Sequence, residues 1–253
     1  MVSIFIKEHL INNASLIREA QGLTLLRKSL DLYNIREVFV PKIYKVTQRE
    51  LHLQKILIKD FDTNNMKKLG KGLAKLHKIK FKNYGFEIDN FIGLANQKNI
   101  LTKEWGEFFF EYRLLYQVSL IENEKLKSDF LSVLEKNKKK LISYLNKHTK
   151  HPSIVHGDLW YGNVLYNDID KNIYLMDPSV HFANREVDVA MTYMFGGFSK
   201  EFYDEYNKEY PLEKDFETRK EIYNLYHYLN HYNLFGITYL EDCRDRIKLI
   251  DYL

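Results

Sequence analysis

Three oxygen-bearing side chains in the middle of the chain have the types and the spacing that phosphoryl transfer from ATP requires. Asp158 and Asn163 lie five residues apart in the polar, glycine-containing segment HGDLWYGN at 156–163, and Asp177 ends an apolar run. In kinases, one Asp orients the attacking hydroxyl and accepts its proton, while an Asn and a second Asp hold Mg²⁺ on the phosphates. Mg²⁺ is a hard cation that prefers oxygen ligands, so this set predicts a small-molecule kinase.

Short apolar runs on both sides of this segment predict the strands that carry it. Residues 153–155 (SIV) predict one strand before the loop, and residues 164–166 (VLY) and 173–176 (IYLM) predict two strands after it. The later pair would form a hairpin that begins beside Asn163 and delivers Asp177 at its end. The local sequence therefore brings the three side chains together.

A lysine and a glutamate near the start of the chain are candidates for a phosphate-binding pair. Lys7 ends a β-rich run, and apolar residues of helical period at 16–30 predict a helix with Ser15 as its N-cap and Glu19 in its first turn. In kinase folds such a Glu directs the Lys ammonium towards the α- and β-phosphates. Taken alone, two such residues are more often ordinary surface charges, so this hypothesis depends on the loop downstream.

Extended segments between residues 38 and 61 predict a small antiparallel sheet beside this pair. They are residues 38–41, 42–46, 50–54 and 55–61, separated by short turns. The last segment leads directly into a helix, so it is the candidate hinge whose backbone meets adenine. This hypothesis adds Lys59, Asp60 and Phe61 to the expected ATP-binding residues.

Helical patterns dominate the chain from residue 65 onward. They cover residues 65–77, 105–121, 124–148 and 219–235, and residues 185–188 enter a further helix that ends near the glycines at 196–197. Residues 81–99 are expected to be a loop-rich insertion, and His77 a core residue rather than a ligand. The predicted fold class is α+β with two lobes, a small antiparallel-sheet lobe at 1–62 and a larger, mainly helical lobe at 63–253.

Composition and charge exclude several classes of protein. The chain has 253 residues, and its net charge is only +4; the basic run at 136–140 shares a helix with acidic residues, so no nucleic-acid partner is expected. The single cysteine, Cys243, excludes an internal disulfide and fits a reducing cytoplasm. No apolar run is long enough to span a membrane, so no membrane association is expected.

Longer motifs give the sequence a specific resemblance. They are HGDLWYGN (156–163), MDPSVHFANREVDVAMTYMFGGF (176–198), YNLYHYLNHYNLFG (223–236), DNFIG (89–93) with Gln97 and Asn99, and EWGEFFFEYRL (104–114). With these motifs the chain resembles the fructosamine or ketosamine 3-kinases, which are related to aminoglycoside and choline kinases and share a protein-kinase-like fold. The HGDxxxxN pattern occurs in many small-molecule kinases, whereas its combination with REVDVAM, FGGF and LNHYNLFG is much narrower.

The resemblance implies a role for each residue of the candidate site. Asp158 would be the catalytic base, and Asn163 and Asp177 would be the Mg²⁺ ligands. Lys7 would bind the phosphates of ATP, with Glu19 as the partner of its ammonium group.

The residues around this site would support it. His156 looks like a brace of the catalytic loop rather than the base, and Trp160 would either face the sugar or serve in packing. Arg185, Glu186 and Asp188 are expected to form an ion-pair network under the site, with contact between substrate and Arg185 or Asp188 as the alternative.

The implied reaction transfers the γ-phosphate of ATP to O-3 of a ketosamine, and the product then decomposes and releases the free amine. Fructosamine, ribulosamine and erythrulosamine all stay open as acceptors. A protonated amine beside the sugar would favour an acidic wall, for which Asp89, Glu186 and Asp188 are the candidates. The alternative functions are a choline- or aminoglycoside-like kinase of another alcohol, and a catalytically impaired, kinase-shaped binding protein.

The start of the chain departs from the kinase pattern. A nucleotide site normally has two strands and a Gly-rich turn before its lysine, yet only six residues precede Lys7 and all eleven glycines follow it. We therefore expect an N-terminal lobe without the Gly-rich roof and weak binding of ATP. Three explanations stay open: a longer gene product, a natural short form, or strands supplied by a partner chain, as in a strand-mediated homodimer.

Overall fold

A computed structural model describes residues 3–9 and 14–253, and its first sheet is antiparallel with the order β1–β3–β2. These strands are β1 (Ile4–Glu8), β2 (Ile43–Val46) and β3 (Glu50–Gln54). Helix α1 (Ser15–Leu32) buries its apolar stripe against them. The strand and the helix are confirmed, but Ala14 rather than Ser15 holds the N-cap position, so Glu19 lies one residue further into the helix than predicted, just beyond the first turn.

A second sheet forms around the predicted hairpin, with the order β11–β10–β4. It contains β4 (Ile58–Lys59), β10 (Val164–Asn167) and β11 (Ile173–Leu175). The prediction that residues 55–61 complete the first sheet is wrong, because β4 pairs with β10 instead. The same holds for residues 38–41, since Phe39 exchanges backbone hydrogen bonds of 2.8 Å with Ile173 and Leu175. Both segments therefore support the hairpin.

Helices form most of the remaining chain: α2 (Thr63–His77), α3 (Trp105–Phe109), α4 (Tyr116–Ser119), α5 (Glu124–Lys147), α6 (Glu186–Thr192), α7 (Lys200–Glu209), α8 (Phe216–Phe235) and α9 (Leu240–Leu249). A π-helical turn, Phe110–Leu115, joins α3 to α4. The long periodic helices are confirmed. Helices α7 and α9 were not predicted, because each buries only two side chains and carries too few apolar residues for a clear period.

Residues 81–99 contain more order than the loop-rich insertion that was predicted. They include β5 (Tyr84–Gly85) and the hairpin β6 (Asn90–Ile92) and β7 (Ala95–Gln97). With β8 (Leu101–Thr102), β9 (Ser153–Val155) and β12 (His181–Ala183), strand β5 forms a sheet of order β8–β5–β12–β9. This sheet fixes β9, which leads into the HGD loop, next to β12, which leads into α6.

Two apolar clusters hold the molecule together. One joins α1 and the first two sheets to α2 and α7, and the other joins α3, α5, α8 and α9. Cys243 is buried in the second cluster, where burial raises the pKa of its thiol to about 12. Within the described ranges, no helix is long and apolar enough to cross a membrane. The lobe boundary near residue 62 stays a prediction.

Gly85 is required by the close approach of another backbone. Its φ is +84°, and an added Cβ would lie 1.7 Å from the carbonyl oxygen of Ile100. Gly236 has the same φ of +84° with no atom within 4 Å of such a Cβ. The two positions therefore separate the cost of the backbone conformation from the cost of the steric clash.

We expect Gly85→Ala to lower the free energy of unfolding by about 3 kcal/mol or more, because the clash adds to the left-handed φ. Gly236→Ala should cost less, about 1–3 kcal/mol, since the strained backbone conformation (φ +84°, ψ −151°) acts there without a clash. Urea denaturation of both variants measures the difference. Equal costs at the two positions would show that the packing of β5 against Ile100 is not tight.

Candidate active site

A cavity of about 280 Å³ lies where the first sheet, α1 and the hairpin sheet meet the HGD loop. Its lining brings together the five residues of the predicted phosphate and metal site: Lys7, Glu19, Asp158, Asn163 and Asp177. They come from β1, α1, the HGD loop and the ends of β10 and β11. The convergence of the three oxygen-bearing side chains, predicted from spacing, is therefore present in the structure.

The buried carboxylate of Asp188, at the start of α6, holds the backbone of the HGD loop. Its oxygens accept hydrogen bonds from the backbone N–H groups of His156 (2.7 Å) and Gly157 (2.8 Å), and Nε2 of His77 lies 3.1 Å away. Burial alone would raise the pKa of Asp188, but the hydrogen bonds from His77 and the loop backbone outweigh it and hold the pKa below its ordinary value. Glycine is required at position 157 for two reasons: its φ is +83°, and an added Cβ would lie 2.2 Å from the backbone oxygen of Ser179.

His156 connects the loop to the chain around Asp177. Its Nε2 lies 2.7 Å from the carbonyl oxygen of Met176 and its Nδ1 lies 3.3 Å from the backbone nitrogen of Asp158. A neutral ring satisfies both contacts, because Nε2–H donates to Met176 and the lone pair of Nδ1 accepts from Asp158. Burial lowers the pKa of His156 and keeps the ring neutral. These contacts fit the predicted bracing role.

Asp158 occupies an environment in which a carboxylate can gain and lose a proton near neutral pH. Burial raises its pKa to about 7, assisted by the charges of Asp177 and Asp188 and opposed by a hydrogen bond from Asn163. Nδ2 of Asn163 donates to the backbone oxygen of Asp158 at 2.8 Å and to its Oδ2 at 3.2 Å. The amide nitrogen of Asn163 is thus used within the loop, and its carbonyl Oδ1 is left as the possible cation ligand.

Asp177 is held in a strained conformation at the end of the hairpin. Its φ is +51°, a left-handed value that costs a non-glycine residue about 1–3 kcal/mol. Its carboxylate lies 3.0 Å from Nζ of Lys7, and the same ammonium lies 2.8 Å from Glu19. Burial by itself would lower the pKa of Lys7, but these two carboxylates raise it and keep the ammonium charged. Glu19 has its pKa raised by burial, and its Oε1 is buried without a hydrogen-bond partner among the described residues.

Comparison with known proteins decides between the kinase families that share such a site. The model of the fructosamine kinase family matches residues 3–251. The chain belongs to the fructosamine kinase family. It is 38% identical over 245 residues to a probable ketoamine kinase of Vibrio parahaemolyticus, covering 92% of this chain and 80% of that protein. It is 33% identical over 228 residues to the chloroplastic protein-ribulosamine 3-kinase of Arabidopsis thaliana, covering 88% of this chain and 69% of that protein.

Solved structures confirm the protein-kinase-like fold. A crystal structure from Haemophilus somnus, described as a fructosamine-3-kinase, superposes with a TM-score of 0.82 at 27% identity, over 98% of this chain and 82% of that chain. The ADP-bound aminoglycoside phosphotransferase APH(2'')-Ib superposes with a TM-score of 0.60 at 17% identity, over 97% of this chain and 86% of that chain. Fructosamine kinase family members are phosphotransferases, so the predicted enzyme class is confirmed.

The donor set of this family member fits Mg²⁺ rather than a softer metal. The oxygens of Asp158, Asn163 and Asp177 face one cavity, and Mg²⁺ is usually held by one or two carboxylates together with phosphates and water. Among the described residues, no group of three or more His, Cys, Asp and Glu side chains is arranged to hold a metal by itself. A cation bound between Asn163 and Asp177 would need the phosphates of ATP to complete its shell.

Several predicted site residues lie elsewhere. Lys59, Asp60 and Phe61 are absent from the lining of this cavity: Lys59 pairs with Asp168 at 3.3 Å, and the Phe61 ring packs against Tyr161. The contact between this segment and adenine stays a prediction. Trp160 lines the cavity and is 40% exposed, with Gly162 packed against its ring, so part of the indole is available to a ligand.

The expected ion-pair network of Arg185, Glu186 and Asp188 is wrong, because among the described residues none of the three forms an ion pair with another. Glu186 is buried in an ion pair with Arg219, 2.6 Å from its Nε, and Arg185 donates to the Tyr206 hydroxyl at 2.9 Å. The Tyr206 hydroxyl also lies 2.9 Å from Nδ1 of His77, whose Nε2 contacts Asp188, so Arg185 and Asp188 are connected through these two residues. None of the three lines the cavity, and contact of substrate with Arg185 or Asp188 stays a prediction.

The acidic wall predicted for the substrate amine is also wrong. Asp89 is engaged by Nζ of Lys98 at 2.8 Å and by the backbone N–H of Asn99 at 2.8 Å, and it does not line the cavity. Glu186 and Asp188 are used in the interior. The three carboxylates have partners within the protein, and none of them lines the cavity.

A buried polar network that the sequence reasoning did not assign holds the chain just after Asp177. Asn90 on β6 donates to the backbone oxygen of Val180 at 2.9 Å, and Gln97 on β7 donates to Asn90 Oδ1 at 2.9 Å. Arg113 in the π-helical turn donates to Asn99 Oδ1 at 2.9 Å. These residues belong to the motifs at 89–99 and 104–114. The sequence signal for this network was the presence of four polar residues in these motifs whose side chains can hydrogen-bond to one another inside the core.

Replacing Asp188 tests whether its carboxylate supports the loop. In Asp188→Asn, an NH₂ group would face a backbone N–H donor, so we expect the free energy of unfolding to fall by about 3 kcal/mol and turnover to fall with it. Urea denaturation and steady-state kinetics measure both effects.

Asp204→Asn is the matched control, because Asp204 pairs with Lys200 in an exposed position where such pairs contribute at most about 1 kcal/mol. Equal stability of the two variants would mean that Asp188 is not the anchor of the loop.

Proposed function

We propose that this chain transfers the γ-phosphate of ATP to a sugar hydroxyl of a ketosamine. The observation that carries the proposal is the convergence of Asp158, Asn163 and Asp177 with the Lys7–Glu19 pair on one cavity. This is the arrangement that phosphoryl transfer uses to position a hydroxyl and a metal-bound triphosphate. The names of the relatives, ketoamine kinase and protein-ribulosamine 3-kinase, support a ketosamine as the acceptor.

In this proposal, Asp158 is the general base. Its carboxylate accepts the proton of the attacking hydroxyl while that oxygen bonds to the γ-phosphorus, and ADP leaves with the bridging oxygen. The Asn163 amide holds Asp158 in position through its backbone oxygen and one carboxylate oxygen. A pKa of about 7 matches the demand for a group that is ionised before the step and protonated after it.

The other residues of the cavity bind and neutralise phosphate. The Lys7 ammonium, oriented by Glu19, would turn from Asp177 to the oxygens of the α- and β-phosphates. Asn163 and Asp177 would hold Mg²⁺, which when bound offsets the negative charge of the triphosphate. We extend the proposal to O-3 as the acceptor atom and to deglycation as the outcome, as the resemblance to ketosamine 3-kinases implies.

Substitution of the proposed base should affect chemistry more than nucleotide binding. We expect Asp158→Ala to lower kcat by a factor of about 10² to 10⁴ with little change in the affinity for ATP, because the phosphate contacts remain. Asp177→Ala should weaken the binding of Mg·ATP as well. ADP release and nucleotide titration separate the two effects.

Asp204→Asn serves as control here too, since Asp204 lies exposed on α7, pairs with Lys200 and does not line the cavity. Retention of more than about a tenth of the wild-type rate by Asp158→Ala would show that the base is misassigned.

A panel of acceptors tests the substrate class. ADP release should rise with ribulosamine, erythrulosamine or fructosamine derivatives, and stay at background with choline and an aminoglycoside. A rate with choline or the aminoglycoside but none with any ketosamine would make this chain another type of alcohol kinase. Tight binding of ketosamine with no ADP release from any acceptor would instead support a kinase-shaped binding protein.

A further inference from the structure

A second cavity, of about 480 Å³, opens on the other side of Asp158 and has an aromatic wall. The wall consists of Trp160, Phe195, His231, Phe235 and Tyr239. Neighbouring rings are in contact: the centroid distances are 6.0 Å for Trp160–Phe195, 5.4 Å for Phe195–His231 and 5.0 Å for His231–Tyr239. The rings come from the HGD loop, the segment before the glycine pair at 196–197, the end of α8 and the 3-10 turn after it, and they form one continuous surface.

Both cavities meet at the proposed base. Gly93, Leu94, Asp158 and Trp160 line the first cavity and the second. The first contains the charged groups suited to phosphate, so an acceptor hydroxyl placed at Asp158 leaves the rest of the acceptor in the second. In a ketosamine the amine nitrogen is only a few bonds from O-3, so it would lie beside Trp160 and Phe195.

The charge distribution around this second cavity is unusual for a site that takes a cation. Among the described residues that line it, Asp158 carries the only carboxylate, and there is no lysine or arginine. Burial lowers the pKa of His231 and outweighs the opposing effect of the carbonyl oxygen of His227, 2.8 Å from its Nδ1, so the ring is neutral. A positive amine would therefore be stabilised by ring faces rather than by carboxylates, as aromatic cages bind ammonium groups.

The wall is also available to a ligand. Trp160, Phe195 and Phe235 are 40%, 45% and 63% exposed, although they are large aromatic side chains. Leu94 and Leu234 extend the apolar surface at the rim, and they are 60% and 38% exposed. An N-substituent that is apolar could pack there, whereas a carboxylate would find no cationic partner.

We propose that the aromatic wall binds the amine half of the acceptor. The ring faces of Trp160, Phe195, Phe235 and Tyr239 take the protonated secondary amine, and the leucines at the rim take its apolar substituent. The chain therefore selects ketosamines of alkyl-type amines, including lysine side chains, over ketosamines formed on the α-amino group of a free amino acid. This inference rests on the proposed function, because it places the acceptor hydroxyl at Asp158.

Three ligands test separately whether the wall binds the protonated amine and whether it prefers an apolar substituent. They are the ketosamine of ribose and n-butylamine, the ketosamine of ribose and glycine, and the neutral ether analogue of the first, in which oxygen replaces the amine nitrogen. We expect the full chain to bind the butylamine compound about tenfold more tightly than the ether, because the ring faces attract only the cation. The glycine compound should also bind about tenfold more weakly, since its carboxylate would be desolvated without a partner. Isothermal titration in the absence of ATP measures all three.

Variants of the aromatic wall test whether the preference for the amine over the ether depends on its rings. In Phe195→Leu the apolar volume is largely kept and the ring is lost, so KM for the butylamine compound should rise about fivefold while the effect on kcat is smaller. Binding of the ether should not change, and the preference for amine over ether should shrink. Phe235→Leu, at the most exposed ring of the wall, repeats the test where truncation cannot disturb the core. Tyr252→Leu, at an 84% exposed tyrosine outside the cavity, is the matched control and should leave KM, kcat and the ligand preference unchanged.

The outcomes distinguish this inference from the proposed function. If the chain phosphorylates ketosamines but binds amine, ether and glycine compounds equally, the aromatic subsite is refuted and the proposed function stands. Loss of the amine preference in Phe195→Leu or Phe235→Leu, with a native thermal melt and an unchanged Tyr252→Leu, supports the subsite. If no ketosamine is phosphorylated although the amine preference is present, the subsite stands and the proposed reaction fails.

Discussion

The structure of the site depends on one buried carboxylate. Asp188 is almost fully enclosed, and an ion in that position costs several kcal/mol unless its oxygens are hydrogen-bonded. Its partners are the two backbone N–H groups at the start of the HGD loop and the ring of His77. Because these donors satisfy the carboxylate only in one arrangement, the loop backbone cannot move without leaving a buried charge unpaired.

The anchor also determines which elements must be rigid. Asp188 is on α6, which follows β12, and β12 pairs with β9, which precedes the loop. The hairpin that carries Asn163 and Asp177 is held on both sides, by β4 and by the segment around Phe39. His156 joins the two units through Met176. The strained φ of Asp177 is therefore imposed by surrounding structure, as is common at functional sites.

Asp158 lies between two cavities of opposite character. One is polar and contains Lys7, Glu19, Asn163 and Asp177, and the other is bounded by aromatic rings. In the proposed reaction the polar side would hold the charged donor and the aromatic side the acceptor. Limited hydration between them raises the proton affinity of Asp158, so one environment would both position the acceptor and tune the base.

Much of the site could be predicted from the sequence because its signals are local. HGDLWYGN, the flanking apolar runs and Asp177 lie within 25 residues, and short-range strand and turn preferences bring them together. The fold class and the family followed from motifs spread along the chain, which match the fructosamine kinase family from residue 3 to 251. The extended segments at 38–41 and 55–61 were identified, but their strand partners were not, since pairing depends on contacts more than 100 residues away.

The sequence by itself determined the identities of the groups that could perform chemistry: a base, two oxygen ligands and a lysine–glutamate pair. Only the tertiary structure decided which carboxylates line a cavity and which are enclosed in the core. Asp188 and Glu186 look as available as Asp158 in the sequence, yet helix α6 turns them towards backbone N–H groups and Arg219. The aromatic wall was likewise hidden, because its rings come from three distant segments and each one resembles an ordinary core residue until the chain is folded.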